Sequence, residues 1–234
     1  MRFTKFVAVL AVGVPFGALA ATGAGSAQAS PDRPAQLVLL GSSGAGSRLQ
    51  KIESAASREA KATFKLTYTS KGSDGTSSVT LEQKPPEQLF KSADGEVIFN
   101  GKKTYYCSTS GTTTCLVYSV AGASPLGSMM EVYAAGTYVD VMRSWQGLIA
   151  EHILGYRVSF SRARFAGQPS ECVTWAYQGD NVKYCVTDSG VLAYVGSWGK
   201  SAGGTTTFAL TSYSPRVNSS DFSVPRGATI STLP

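Results

Sequence analysis

The sequence predicts an α+β fold: a single curved antiparallel β-sheet of about ten strands, a half-open barrel, whose concave face is covered by helices. Three observations predict it. Short segments of alternating polar and apolar residues follow one another, each closed by a turn signal such as Asn100-Gly101 or Asp188–Gly190. Two pairs of cysteines sit where they would face each other across hairpins. A stretch of helical periodicity, Ser124 to Gly155, interrupts the strands. Within Thr137–Leu154 the apolar positions Tyr138, Val141, Met142, Trp145, Leu148, Ile149 and His152/Ile153 repeat at the spacing of one helix face. Thr137 stands at the expected N-cap and Gly155 at the stop. A shorter helix is expected before it, started by Ser124-Pro125, with Leu126, Met129, Met130 and Tyr133 as its stripe.

The chain has 234 residues and a formal charge of +6, enough length for one domain of moderate size behind a leader. Residues 1–29 read as a signal peptide. Arg2 and Lys5 form a basic start, Phe6–Ala21 is apolar but broken by Gly13, Pro15 and Gly17, and Ala27-Gln28-Ala29 is a cleavage site. Cleavage after Ala29 predicts a secreted protein. No cysteine precedes Cys107, so no lipid anchor is expected. The basic excess is spread along the chain rather than clustered among aromatics, which argues against nucleic acid as a partner.

Residues 30–47 read as a flexible linker rich in Gly, Ser, Ala and Pro, and residues 48–234 as the domain. Gly41–Gly46 lacks the Gly-Lys-Ser/Thr of a phosphate loop, the G-x-G-x-x-G of a dinucleotide loop and the last glycine of a nucleophile elbow. Arg48–Ala62 has helical order. Phe64, Leu66 and Tyr68 alternate with Lys65, Thr67 and Thr69 as in a strand with one buried face. Strands at Ser78–Gln83, Glu87–Ser92, Glu96–Asn100 and Lys102–Ser108 extend the meander. Five more follow the helical insert: Tyr156–Phe165, Glu171–Gln178, Asn181–Thr187, Gly190–Lys200 and Thr205–Tyr213. Residues Ser219–Pro225 read as a packed tail.

Of the three ways to pair four cysteines, only Cys107–Cys115 with Cys172–Cys185 fits both hairpins. The first then sets Tyr106 opposite Leu116, and the second sets Val173 opposite Tyr184 and Trp175 opposite Val182. Apolar pairs fall on one face and cysteines on the other. Disulfides are expected in an exported chain.

The order of helix, strands, helical insert and five strands resembles the LolA-like superfamily of lipoprotein carriers and the actinobacterial LppX/LprG-type lipoproteins. Val79–Pro86, Asp94-Gly95, Asn100-Gly101, Tyr105-Tyr106, Tyr184–Gly190 and Asp221–Pro225 carry the resemblance, which runs from about Arg48 to the C-terminus. It implies a half-open β-barrel closed by helices that holds acyl chains between sheet and lid. The lipobox cysteine of the lipoprotein branch is missing.

Catalysis finds little to use: His152 is the sole histidine, and no paired carboxylates, metal-ligand cluster or nucleophile motif stands out. No enzyme activity, metal or cofactor is expected. Three of the four methionines, Met129, Met130 and Met142, lie on the predicted helix faces, where their adaptable side chains suit a changeable gap. With Phe64, Leu66, Tyr133, Tyr138, Trp145, Trp175 and Tyr184 they are the expected lining of an apolar cavity. The expected partner is a lipid or other apolar small molecule, with a membrane or envelope protein met transiently. The alternative is an exported protein-interaction or sensor module that keeps a closed core and uses the sheet rim. A hydrolase ranks third.

Overall fold

The structure is a computed structural model, and it describes residues 43–73, 75–108, 111–118, 133–139, 157–200 and 205–232. Helix α1 (Ser43–Ala56) and a 3-10 turn (Glu59–Lys61) lead into a first array: β1 (Phe64–Gly72), β2 (Gly75–Lys84), β3 (Glu87–Ser92), β4 (Gly95–Phe99), β5 (Thr104–Ser108) and β6 (Thr114–Tyr118). The second array is β7 (Arg157–Phe165), β8 (Gln168–Tyr177), β9 (Asp180–Thr187), β10 (Leu192–Trp198) and β11 (Thr206–Ser214). A short turn at Ser219–Phe222 and β12 (Thr229–Thr232) end the chain.

All the described strands belong to one curved, unclosed 12-stranded sheet in the order β12-β6-β5-β4-β3-β2-β1-β11-β10-β9-β8-β7. The expected meanders are there, joined by a long-range seam in which β1 runs antiparallel to β11. Every ladder is antiparallel except that of β12, which adds in parallel to β6. The strand at Thr229–Thr232 and the β1–β11 seam lie beyond what local alternation reveals. Elsewhere the turns work as their residues dictate. Pro85-Pro86 joins β2 to β3, and the Asn100 carboxamide oxygen accepts the N–H groups of Lys102 and Lys103 at 3.1 and 2.9 Å.

The disulfides are Cys107–Cys115 and Cys172–Cys185. Their hairpins carry the anticipated register, Tyr106 with Leu116, Val173 with Tyr184 and Trp175 with Val182. Both bridges lie on the face opposite the helix. Because side chains alternate, Val173, Trp175, Tyr184 and Val186 point to the other side, where Leu49, Ile52, Ala55 and Ala56 of α1 complete a core. The middle of that helix face is filled by Phe64, Leu66, Tyr68, Val79, Leu81 and Phe90.

The opposite face, under the first array, is covered by the C-terminal tail. Phe222 is buried against Leu89, Ile98 and the Cys107–Cys115 bridge. Asp221 and Ser219 meet lysines of the sheet: Lys65 Nζ lies 3.6 Å from Asp221, and Lys84 Nζ donates to Ser219 Oγ at 2.7 Å.

Two boundaries differ from expectation. Helix α1 begins at Ser43 rather than Arg48, so part of the expected linker is helical. The apolar stripe of Leu49, Ile52, Ala55 and Ala56 is docked on the sheet, and packing of that kind outweighs the weak propensity of Gly and Ser. The helix stops at Ala56 instead of Ala62, where the β9–β10 turn meets its end. Gly190 has φ +99°, and a side chain there would run into the Ala55 carbonyl. Arg58 secures the junction, donating to the carbonyls of Ser54 and Asp188 at 2.8 Å each.

Candidate functional site

Strand β6 stands one place in from one edge of the sheet and β7 forms the other edge. The connection between them joins strands near opposite ends of that order. Of this connection, residues 133–139 are described. They rest on the helix face, with residues 135–139 helical. Helical geometry thus starts two residues before Thr137, the expected N-cap. The capping acceptor comes from a distant part of the chain: the Ala135 N–H donates to Glu59 Oε2 at 2.6 Å.

Glu59 sits at a polar junction within an apolar face. Burial raises its pKa to about 8, against the pull of hydrogen bonds from the backbone of Ala135, Leu192 and Gly136. At neutral pH the carboxyl is mostly protonated, so no charge is left stranded in the core. Gln83, also buried, donates from Nε2 to the carbonyls of Glu59 and Ala62 at 2.8 and 3.0 Å. Tyr68 donates its hydroxyl to the Leu192 carbonyl at 2.8 Å. The sequence reading missed Glu59 and Gln83 as special. Their role comes from partners far away in the chain, and a polar residue ending an apolar segment was the sole local sign.

Around this junction the rings form two chains. Tyr133 lies between Phe90 and Phe208, at centroid distances of 5.7 and 5.1 Å, and Phe208 stacks on Tyr68 at 4.4 Å. Tyr138 packs on Tyr184 at 5.0 Å, and Trp175 meets the edge of Tyr184 at 5.6 Å. Burial raises the phenol pKa of Tyr133 and Tyr184 to about 12 each and lifts those of Tyr138 and Tyr68 as well. These hydroxyls stay neutral at any physiological pH. The face is therefore apolar and aromatic, with uncharged donors set into it.

The predicted residues divide as follows. Phe64 and Leu66 lie in the middle cluster, and Tyr133 packs half-buried against it. Tyr138, Trp175 and Tyr184 are buried in the cluster beneath α1. Met129, Met130, Met142, Trp145 and His152 lie outside the described residues. Among the described residues no group of three or more His, Cys, Asp or Glu side chains is placed to hold a metal. None of the described helices is long and apolar enough to cross a membrane.

Charge gathers at the far end of the same face. Glu171 on β8 is 4% exposed and receives Arg48 at 2.7 Å, Lys51 at 3.2 Å and Arg162 at 2.8 Å. Burial opposes its ionisation, but the hydrogen bonds from Arg48, Arg162 and Lys51 prevail and bring its pKa down to about 2.

No family model matches the sequence, and no curated protein matches it. Among solved structures, MucB aligns at 12% identity and a TM-score of 0.47, covering 80% of this chain and 65% of MucB. The chain thus spans a little under two thirds of that protein. MucB in complex with periplasmic MucA aligns at 14% identity and a TM-score of 0.45, over 80% of this chain and 62% of the other. A DUF1329 family protein from Desulfovibrio piger aligns at 11% identity and a TM-score of 0.25, over 76% of this chain and 96% of that one.

Proposed function

We propose that this is a secreted, non-enzymatic binding or carrier protein for a lipid or similarly apolar ligand, held between the sheet and the segment that joins β6 to β7. The observation that carries the reading is the seat of residues 133–139. They lie over an aromatic face, join no strand ladder, and meet the sheet through rings and the Glu59 bond. A contact of that kind can open without breaking a strand ladder. The half-buried ring of Tyr133 on the segment and the ring of Phe208 against it offer apolar area with a neutral hydroxyl beside it, which suits acyl chains more than charged solutes. The LolA-like resemblance in the sequence points the same way. The leader read from the sequence and the two disulfides support export.

The test is organic extraction of the protein purified from its native host, followed by mass spectrometry, with a displacement titration using a fluorescent fatty acid. Co-purified lipid and saturable displacement are expected, and both weaken in Tyr133→Asp, which places a charge among the rings. An extract free of lipid together with no fatty-acid binding would overturn the reading.

A further inference from the structure

Among the described residues, the outer edge of β7 is the strongest unexplained surface. Among the described residues β7 pairs with β8 alone, over nine residues in unbroken register from Arg157–Ala176 to Phe165–Gln168. It contains no proline and no bulge, two of the devices that close natural edges to pairing.

Which of its backbone groups face outward follows from the turn. Ala166 and Gly167 have φ of 48° and 76° and form a two-residue connection between the paired Phe165 and Gln168. In such a hairpin the residues flanking the turn exchange both hydrogen bonds, and alternate residues then point their N–H and C=O away from the partner. The outward set is therefore Val158, Phe160, Arg162 and Arg164.

The side chains of that same set all lie on the helix face, because Val158 is opposite Trp175 and Arg162 opposite Glu171. Val158 and Phe160 are half-buried against the α1 core, with the Arg48 guanidinium 5.4 Å over the Phe160 ring. Arg162 is 78% exposed, and only its Nε is used on Glu171. Arg164 is exposed and spends Nη1 on the Gly167 carbonyl at 3.0 Å. Arg48 and Lys51 stand behind them, so the end of the edge is basic even after Glu171 is counted.

We propose that β7 accepts an added antiparallel strand from an acidic partner peptide of the pattern acidic-x-acidic-x-apolar-x-apolar. Directly opposed residues share a face, so carboxylates of the partner meet Arg164 and Arg162, and its apolar residues meet Phe160 and Val158. The backbone supplies affinity, and the two arginines set charge and direction. The same arginines disfavour a second copy of this strand as the occupant, since each strand brings three guanidinium groups, with Arg157 the third.

The experiment uses the full chain and two fluorescent peptides, Glu-Thr-Glu-Thr-Val-Thr-Val and its counterpart with both glutamates replaced by lysine, in fluorescence anisotropy. The acidic peptide is expected to bind at least about tenfold more tightly, with the difference shrinking as salt rises. Doubly substituted Arg162→Glu/Arg164→Glu protein should reverse the preference, which mere loss of folding cannot do. N-methylation of the peptide at its glutamates and valines, whose N–H groups would bond to β7, should abolish binding. N-methylation at the threonines should leave it. Hydrogen exchange should slow at Val158, Phe160, Arg162 and Arg164. Equal binding of both peptides, no binding of either, insensitivity to the site of N-methylation, or a dimer that occupies this edge would each overturn the proposal. The lipid-extraction result is independent of all of them.

Discussion

The two halves of the sheet are finished on opposite faces. In the second array, α1 packs on the helix face and builds a core from Ile52, Val173, Trp175 and Val186, all nearly inaccessible. In the first array, the C-terminal tail packs on the other face and builds a core from Phe222, Leu89 and Ile98. Each array keeps its disulfide on the tail face, but the bridges do different work. Cys107–Cys115 is part of the surface that receives Phe222. Cys172–Cys185 lies with Ala193, with Phe165 and Tyr194 against it. The difference teaches that a strand's alternating pattern can be satisfied from either face, provided some segment of chain arrives to cover its apolar side.

The largest effect should come from the cover residues. Phe222→Ala should cost about 3–5 kcal/mol and Ile52→Ala about 2–5 kcal/mol, measured by chemical denaturation. Hydrogen exchange sharpens the comparison. Phe222→Ala should first loosen β3 to β6, and Ile52→Ala should first loosen β8 to β10. If either substitution loosens both arrays equally, the halves are a single cooperative unit and the contrast fails.

Reduction of the bridges comes next. Replacing Cys107 and Cys115, or Cys172 and Cys185, by alanine should cost about 2–3 kcal/mol for each pair on the chain-entropy account. The first pair should cost more than that, because its loss also removes surface beneath Phe222.

Smaller effects separate the buried acids by pH. Glu59 has a raised pKa, so the folded state holds a proton that the unfolded state releases. Stability should therefore fall as pH rises from about 4.5 to about 8. This one group contributes a slope of at most about 1.4 kcal/mol per pH unit. Glu59→Gln should flatten that part of the profile. Glu171 has the reverse sign. Its contribution is complete above about 4.5 and disappears as pH falls toward about 2, so Glu171→Gln should remove an acid-side loss instead. A pair of substitutions that shift the profile in the same direction would break the distinction. The smallest effect is expected at Ile230, 54% exposed on β12, where Ile230→Ser should change stability by no more than about 0.5 kcal/mol.

What the sequence made legible follows from short-range periodicity. The period of two assigns Phe64, Leu66, Tyr68, Val173, Trp175 and Tyr184 to one face, and the cysteine pairs lock the register of two hairpins, because both signals live within a few residues. The polar junction was hidden. Glu59 acquires its role from Ala135 and Leu192, and Gln83 from the carbonyls it reaches behind the 3-10 turn. Nothing in the neighbourhood of either residue announces those partners. The same holds for Glu171, whose three cations come from α1 and β7. Helix start at Ser43 was hidden for another reason: Gly and Ser mark a linker by propensity, and tertiary docking overrode it.

The seam between β1 and β11 ties Lys65 to Ser214. During synthesis from the N-terminus, the first six strands can assemble as neighbours, but their last ladder has no partner until the strand near residue 214 has emerged. Until then β1 has one side unpaired, and the nascent chain carries an open template in its middle. A protein joined in this way can pair β1 on both sides only after residue 214 has been made, so the order of synthesis leaves its central seam for late.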